Sequence, residues 1–265
     1  MRDFTLQAYK SLLLALQSIA YQFLTFEQYC IAKQTNSSLP EKVVILRHDV
    51  DLKAANSLAT AQLEAELGIR ASYYFRVVPQ SNQPNIIKQI VALGHEIGYH
   101  YEDMSRCKGD IEAAIEHFQS QLAYFRQFYP VQTICMHGAP RSQYDSKDLW
   151  KQYDYHDFGI VGEPYFDTDF SDVFYLTDTG RRWDGYHVSV RDKIPVYQDI
   201  WAKQGFVFNT TNDIIEAINQ NRLPYRLMIT THPQRWTDQP FAWLMELVMQ
   251  STKNTIKKWL IMLRG

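Results

Sequence analysis

Val43-Val44-Ile45-Leu46 runs directly into Arg47-His48-Asp49-Val50-Asp51, an apolar stretch closed by a charged, metal-capable cluster. Three later runs end the same way. Glu96-Ile97-Gly98-Tyr99 leads into His100-Tyr101-Glu102-Asp103, Val131 to Met136 into His137-Gly138-Ala139-Pro140, and Arg226 to Thr231 into His232-Pro233. Helical patterns separate the runs. Such an alternation implies a parallel sheet, whose ligands bind outside the carboxyl ends of its strands. Asp and His are costly to bury without partners, so four strand ends carrying them point to a site rather than to packing.

Outward from these runs, the chain reads as alternating elements. Thr5 caps a helix to about Ile19, Phe23 to Phe26 forms a short edge strand before a second helical turn, and Thr35 to Pro40 is a loop. A helix over Asp51–Leu67 stops at Gly68, a strand covers Ala71–Val77, and a helix over Pro84–Leu93 ends at Gly94. Glu96–His100 is a strand, Gly109–Tyr129 a long helix and Val131–Met136 the next strand. Residues 138–200 are rich in Tyr, Asp and Gly, with strand candidates at Phe158–Val161 and Val173–Leu176, and suit substrate loops. Phe206–Phe208 is a strand candidate, Thr210 or Thr211 caps a helix to Asn219, Leu227–Thr231 is the last strand, and a closing helix starts near Pro240. With no repeat, low-complexity tract or linker, 1–265 is read as one domain, and its 265 residues suit one α/β barrel.

A hydrophobic fraction of 46% supports a full core, and a net charge of −2 without a basic stripe argues against nucleic acid as a partner. The 17 Tyr and 6 Trp suit carbohydrate faces, but an aromatic core is the plainer reading. Cys30, Cys107 and Cys135 lack paired spacing and fit a reducing compartment. Leu12 to Leu16 is too interrupted by polar neighbours for a signal peptide, and no stretch reaches the roughly 18 apolar residues of a membrane span. The expectation is a cytoplasmic protein. Trp259 to Leu263, with Lys257, Lys258 and Arg264, suits either a membrane surface or a helix packed on the barrel with solvated lysines; the second is favoured.

Asp49 and Asp51 lie two apart on a strand and so point to one side. Two such carboxylates ionise together cheaply only beside a cation. A divalent metal provides one, with one Asp ligating and the other free as general base; alternatively, Asp51 caps the following helix. His100 is a candidate ligand. His137, beside Gly138, and His232 are each a third ligand or a catalytic acid. Arg181-Arg182-Trp183-Asp184-Gly185 and Gln234-Arg235-Trp236 bring guanidinium and indole groups suited to an anionic or sugar ligand, or to a surface ion pair under a Trp lid.

The order of these motifs over 43–235 resembles the NodB-homology polysaccharide deacetylases, carbohydrate esterase family 4. Gly94-His95-Glu96-Ile97-Gly98-Tyr99-His100 is similar to the family's Gly-His-Glu-Ile-Gly-Asn-His run, Arg47-His48-Asp49-Val50-Asp51 to its Thr-Phe-Asp-Asp motif, and Ile229-Thr230-Thr231-His232 to its Leu-x-His motif. The Arg-His-Asp-Val-Asp and Thr-His-Pro patterns resemble a divergent branch associated with surface-glycan biosynthesis. Met104 stands where the family has its second metal histidine, and Met136 to Pro140 replace its arginine–proline motif. The resemblance implies a distorted (β/α) barrel of about seven parallel strands. It implies deacetylation of an N-acetylated sugar; the cytoplasmic expectation adds a nucleotide- or lipid-linked glycan precursor as the form the chain would meet. The metal would be one divalent ion, zinc before cobalt, nickel or iron, on Asp51 and His100, with His137 as the third ligand or an oxyanion contact. Asp49 would be the base and His232 the acid, with Arg182, Trp183, Arg235 and Trp236 on the substrate. Hydrolysis of a non-sugar amide or cyclic imide, or non-catalytic glycan binding, are the alternatives.

Overall fold

The computed structural model describes residues 2–139, 142–183 and 194–264, with 256–264 as backbone only. Pro140, Asp184 and Gly185, which the motif reading included, lie outside the described residues. The elements follow as α1 (Leu6–Ser18), β1 (Gln22–Leu24), α2 (Phe26–Gln34), β2 (Val43–Val50), α3 (Ala54–Glu66), β3 (Ser72–Phe75), α4 (Pro84–Ala92), β4 (Glu96–Tyr101), α5 (Asp103–Arg106), α6 (Ile111–Phe125), β5 (Ile134–Met136), α7 (Pro164–Asp167), β6 (Phe174–Thr177), α8 (Pro195–Lys203), α9 (Thr211–Asn219), β7 (Arg226–Thr231) and α10 (Pro240–Arg264).

The seven strands form one parallel sheet in the order β5-β4-β3-β2-β7-β6, with β1 beside the first half of β2. β7 pairs with β2 from Val43↔Arg226 to His48↔Thr231, which brings the last strand back to the first long one. Among the described residues β5 and β6 share no ladder; a single bridge, Thr133↔Gly162, lies beside β5. The architecture is the expected distorted (β/α) barrel, open at one seam.

β2 is buried along its whole length, as a strand covered on both faces must be. Its alternation sorts chemistry between two layers. Arg47 and Asp49 bond each other inside the barrel, while His48 reaches outward to Glu64 of α3. Glu64 is fully buried and accepts from Tyr9 Oη at 2.5 Å and Tyr73 Oη at 2.7 Å, with His48 Nε2 at 2.7 Å. Burial favours its neutral form, but the His48 interaction outweighs that and lowers its pKa. His48 Nδ1 meets Thr231 Oγ1 at 2.6 Å, so the network ties β2 to β7 and to the helix layer.

Several expectations are corrected. α3 starts at Ala54, and its cap is Lys53, which has φ 52° and no side-chain cap bond. Asp51 lies three residues upstream and is not the cap. Phe158 ends a 3-10 turn, Tyr155–Phe158, that Gly159 closes at φ 70°, so Phe158–Val161 is no strand. Phe206–Phe208 is no strand either. Gly205 at φ 84° turns the chain back on α8, Phe206 N–H donates to Trp201 O at 2.9 Å, and Phe206 and Phe208 pack on the Phe174 ring. The side chains of Trp259 to Leu263, read as packed on the barrel, lie outside the described residues; in the described part of α10, Glu246 and Gln250 are buried, Trp243 and Leu247 half-buried, and Phe241, Leu244, Met245, Val248 and Met249 exposed. No described helix is long and apolar enough to cross a membrane.

Gly98 is where β4 passes closest to its neighbours. A Cβ there would fall inside the Tyr74 ring and 2.9 Å from the Thr133 carbonyl oxygen. The ring is held by a 2.9 Å bond from Tyr74 Oη to Thr133 Oγ1 and cannot yield cheaply. Gly98→Ala should therefore lower the unfolding free energy by about 1–3 kcal/mol, the usual cost of overpacking. Urea titration checks this; an unchanged midpoint would mean the contact gives way freely.

Candidate active site

Asp51, just past β2, is the focus of three imidazoles from three other strand ends. Its Oδ1 lies 3.6 Å from His100 Nε2 and 3.4 Å from His137 Nε2, and its Oδ2 lies 4.0 Å from His232 Nε2. Gln234 Nε2 donates to Oδ2 at 3.3 Å. Oδ1 is buried and has no hydrogen-bond partner. Burial alone would raise this carboxyl, but His137, His232, His100 and Arg76 together lower it.

The two imidazoles nearest Oδ1 have fixed tautomers. His100 Nδ1 lies 2.9 Å from the Cys135 carbonyl and His137 Nδ1 lies 2.8 Å from Glu102 Oε2. A carbonyl and a carboxylate only accept, so each Nδ1 carries a proton and each Nε2 is turned towards Asp51. Burial, with His137 nearby, pushes His100 down to about 4, so its ring is neutral and able to ligate. Glu102 also accepts from Arg76 Nη2 at 2.7 Å and Arg106 Nη2 at 2.9 Å. Burial would raise Glu102, but His137 and Arg76 lower it far more.

Ligand atoms around a tetrahedral zinc ion with bonds of about 2.0–2.1 Å stand roughly 3.3–3.5 Å apart. The Oδ1–Nε2 separations match, and an orphaned buried carboxylate oxygen is what such an ion would satisfy. Asp51 therefore offers a divalent metal an open oxygen with an imidazole nitrogen on each side, although among the described residues the set whose ligand atoms all lie within 4.8 Å of one another is Asp49, His100 and Cys135. That set fits less well, because Arg47 already occupies both Asp49 oxygens, Nε at 2.9 Å and Nη2 at 2.6 Å, and would face the ion.

Asp49 is buried on the same face of β2, its Oδ2 3.9 Å from His100 Nε2. Burial pushes its pKa up; the Arg47 guanidinium outweighs burial and holds it well below the usual carboxylate range. It is thus ionised at every working pH.

His232 is held by Asp178, just past β6. Asp178 Oδ1 lies 2.6 Å from His232 Nδ1, and Oδ2 accepts from the His232 amide at 2.9 Å and Trp236 Nε1 at 2.7 Å. Arg235 Nη1 bonds the same Oδ1. Burial works to raise Asp178, but Arg235 and His232 bring it down to about 2. Burial and Arg235 work to lower His232; the Asp178 charge and hydrogen bond outweigh them and raise it.

The structure thus brings Asp49, Asp51, His100, His137 and His232 together. Arg235 and Trp236, expected on substrate, are instead buried and spent on Asp178. Trp183 is buried, donates to Thr211 Oγ1 at 3.0 Å and lies against Trp236, so it presents no open face. Arg182 is exposed and bonds Asn209 Oδ1 at 2.8 Å. Asp178, Glu102 and Arg47 escaped the sequence reading as supports of the site. Asp178 follows a strand candidate directly and obeys the strand-end rule, but it sits in an Asp-rich stretch that blurs the signal.

No protein-family model and no curated protein matches the sequence. Solved structures similar to this chain include the Streptococcus pyogenes deacetylase PplD in complex with acetate, at 15% identity and TM-score 0.45 over 55% of this chain and 68% of that one. IcaB from Ammonifex degensii is similar at 15% identity and TM-score 0.44, over 55% and 71%. BA3943, a CE4 family pseudoenzyme from Bacillus anthracis, is similar at 13% identity and TM-score 0.45, over 83% and 63%. At these values no residue role passes from them to this chain.

Because Asp178 raises His232, their interaction adds stability that is whole below about pH 6.5, the ordinary histidine value. That stability is lost as the pH rises through His232's folded pKa. Asp178→Asn should lower the His232 pKa in metal-free protein and flatten this part of the pH–stability curve. Imidazole NMR titration reads the first effect directly, and an unmoved His232 resonance would refute the assignment of Asp178 as its support.

Proposed function

We propose that this chain is a metal-dependent amide hydrolase that removes an acetyl group from an N-acetylated sugar in surface-polysaccharide metabolism. The carrying observation is the buried, unpartnered Asp51 Oδ1 with the Nε2 atoms of His100 and His137 at 3.6 and 3.4 Å. Two histidines and a carboxylate suit zinc, with cobalt, nickel or iron as chemically near substitutes. Bound there, the ion supplies a Lewis acid for the amide carbonyl and a water acidified to a pKa of about 7.

The chain's own groups supply the proton transfers. Asp49, ionised because Arg47 clamps it, takes up the proton of the attacking water. A carboxylate held this low is a weak base, so the transfer depends on the ion having acidified the water. His232, charged through Asp178, gives its Nε2 proton to the leaving nitrogen; that atom lies 4.0 Å from Asp51 Oδ2 and so faces the same space. Glu102 keeps the His137 lone pair on target.

A cytoplasmic location belongs to this reading, and so does a nucleotide- or lipid-linked precursor as substrate. Arg182, exposed and bonded to Asn209, is the guanidinium assigned to its phosphate in this reading.

Metal content by mass spectrometry, on protein purified without tag or chelator, tests the site. Wild type should carry near-stoichiometric metal, His137→Ala and His100→Ala should lose it, and Glu102→Gln should bind about 10–100-fold more weakly, as for other second-layer partners. Full metal in His137→Ala would remove His137 from the ligand set. Asp49→Asn should keep its metal and lose deacetylation of N-acetyl sugars by about 10²–10⁴-fold; an active variant would sink the base assignment.

A further inference from the structure

α10 turns the usual amphipathic arrangement inside out. Its described inward side is mainly polar, with Trp243 half-buried against Arg2 and Arg181 and Leu247 half-buried. Glu246 and Gln250 are buried, Lys53 Nζ meets Glu246 Oε2 at 3.3 Å, and Asn254 Nδ2 donates to Gly180 O at 2.9 Å. The outward side carries Phe241, Leu244, Met245, Val248 and Met249, spaced i, i+3, i+4, i+7 and i+8, with Phe241 77% and Val248 54% exposed. A helix on a water-facing surface has the opposite pattern, and a contiguous apolar strip of this kind marks a contact surface.

Charge says what covers it. From 247 to 265 the chain holds Lys253, Lys257, Lys258 and Arg264 and no Asp or Glu, within a chain of net charge −2. The one acidic residue of α10, Glu246, is buried against Lys53. A second copy packed on this helix would therefore find no exposed acidic partner on it, whichever way the helices ran. An anionic lipid surface answers the basic residues and also takes up the apolar strip. The 256–264 part of the helix adds Ile256, Trp259, Leu260, Ile261, Met262 and Leu263 by sequence, an apolar and aromatic supply typical of interfacial helices.

We propose that α10 is an interfacial helix that holds this protein against an anionic bilayer, lying in its surface without crossing it. The tether to Lys53, two residues past Asp51, sets the strip at the barrel rim that carries the candidate site. This attachment is independent of the chemistry assigned to that site.

Co-sedimentation of the full chain with vesicles tests this, using equimolar phosphatidylcholine and phosphatidylglycerol beside phosphatidylcholine alone, at low and high salt. Binding should be at least about tenfold tighter to the anionic vesicles and should weaken in salt. L244S/V248S replaces two exposed residues, should keep the wild-type melting curve, and should bind about tenfold or more weakly. Absence of binding, or equal binding to both vesicles, would overturn the proposal. So would a lipid-free wild-type dimer in light scattering that L244S/V248S abolishes, since the strip would then belong to a second copy.

Discussion

Two carboxylates two residues apart on one buried strand have to be kept ionised, and the rest of the site is arranged around that requirement. Asp49 is answered from its own strand, by the bidentate Arg47 guanidinium. Asp51 is answered from outside, by imidazoles from β4, β5 and β7. The difference decides their roles. A carboxylate with both oxygens on one guanidinium is electrostatically complete and is a poor ligand for a cation. A carboxylate with a buried, unpaired oxygen is incomplete until a cation arrives. Removing Arg47 would leave Asp49 as an uncompensated buried charge, at a cost of about 3–5 kcal/mol. The clamp therefore supports the fold as well as the chemistry.

The imidazoles are fixed one step further out. Each faces Asp51 with Nε2 because its Nδ1 is committed to an acceptor that cannot move: a β5 carbonyl for His100, Glu102 for His137, Asp178 for His232. These acceptors are themselves held, Glu102 by Arg76 and Arg106, Asp178 by Arg235, Trp236 and a backbone amide. Two kinds of imidazole result from one layout. His100 is kept neutral by burial, whereas His232 is drawn towards its charged form by the Asp178 carboxylate. For His100 and His232 the difference follows the outer acceptor, a neutral carbonyl in one case and an anion in the other. Arg235 and Trp236 belong to this outer layer, which explains why residues with the chemistry of a sugar platform are buried beneath the site.

Much of this was legible from residues alone. A buried strand ending in Arg-His-Asp-Val-Asp leaves little but a site, since no core tolerates that cluster unpaired, and the four strand ends met as a parallel barrel requires. The third histidine was legible for a geometric reason. β4 runs on to Tyr101 and α5 begins only at Asp103, so residues 100 and 104 do not share a helix face, and Met104 is buried away from solvent. The next strand end brings His137 to Asp51 instead, 3.4 Å from its Oδ1. Sequence failed where an aromatic triplet suits two fates: Phe206 to Phe208 could pair in a sheet or pack on one, and the left-handed Gly205 decides for packing. At α10 the helical spacing is plain, but nothing in one sequence says which face meets the barrel.

The two faces of β2 also explain why this register is secure. Its inward residues hold the Arg47–Asp49 pair, and its outward His48 joins Glu64, Thr231, Tyr9 and Tyr73 in a second buried network. In most buried strands a slip of one residue exchanges one apolar face for another at moderate cost. Here a slip would turn the Arg47–Asp49 pair out of the barrel and His48 into it, leaving Glu64 without its imidazole and Asp49 away from His100. The polar groups that make the strand expensive to bury are thereby the groups that leave it only one place to lie. Since Asp51 follows directly on this strand, the position of the candidate metal ligand is set by hydrogen bonds on the opposite side of the sheet, at a fully buried glutamate that never meets the substrate.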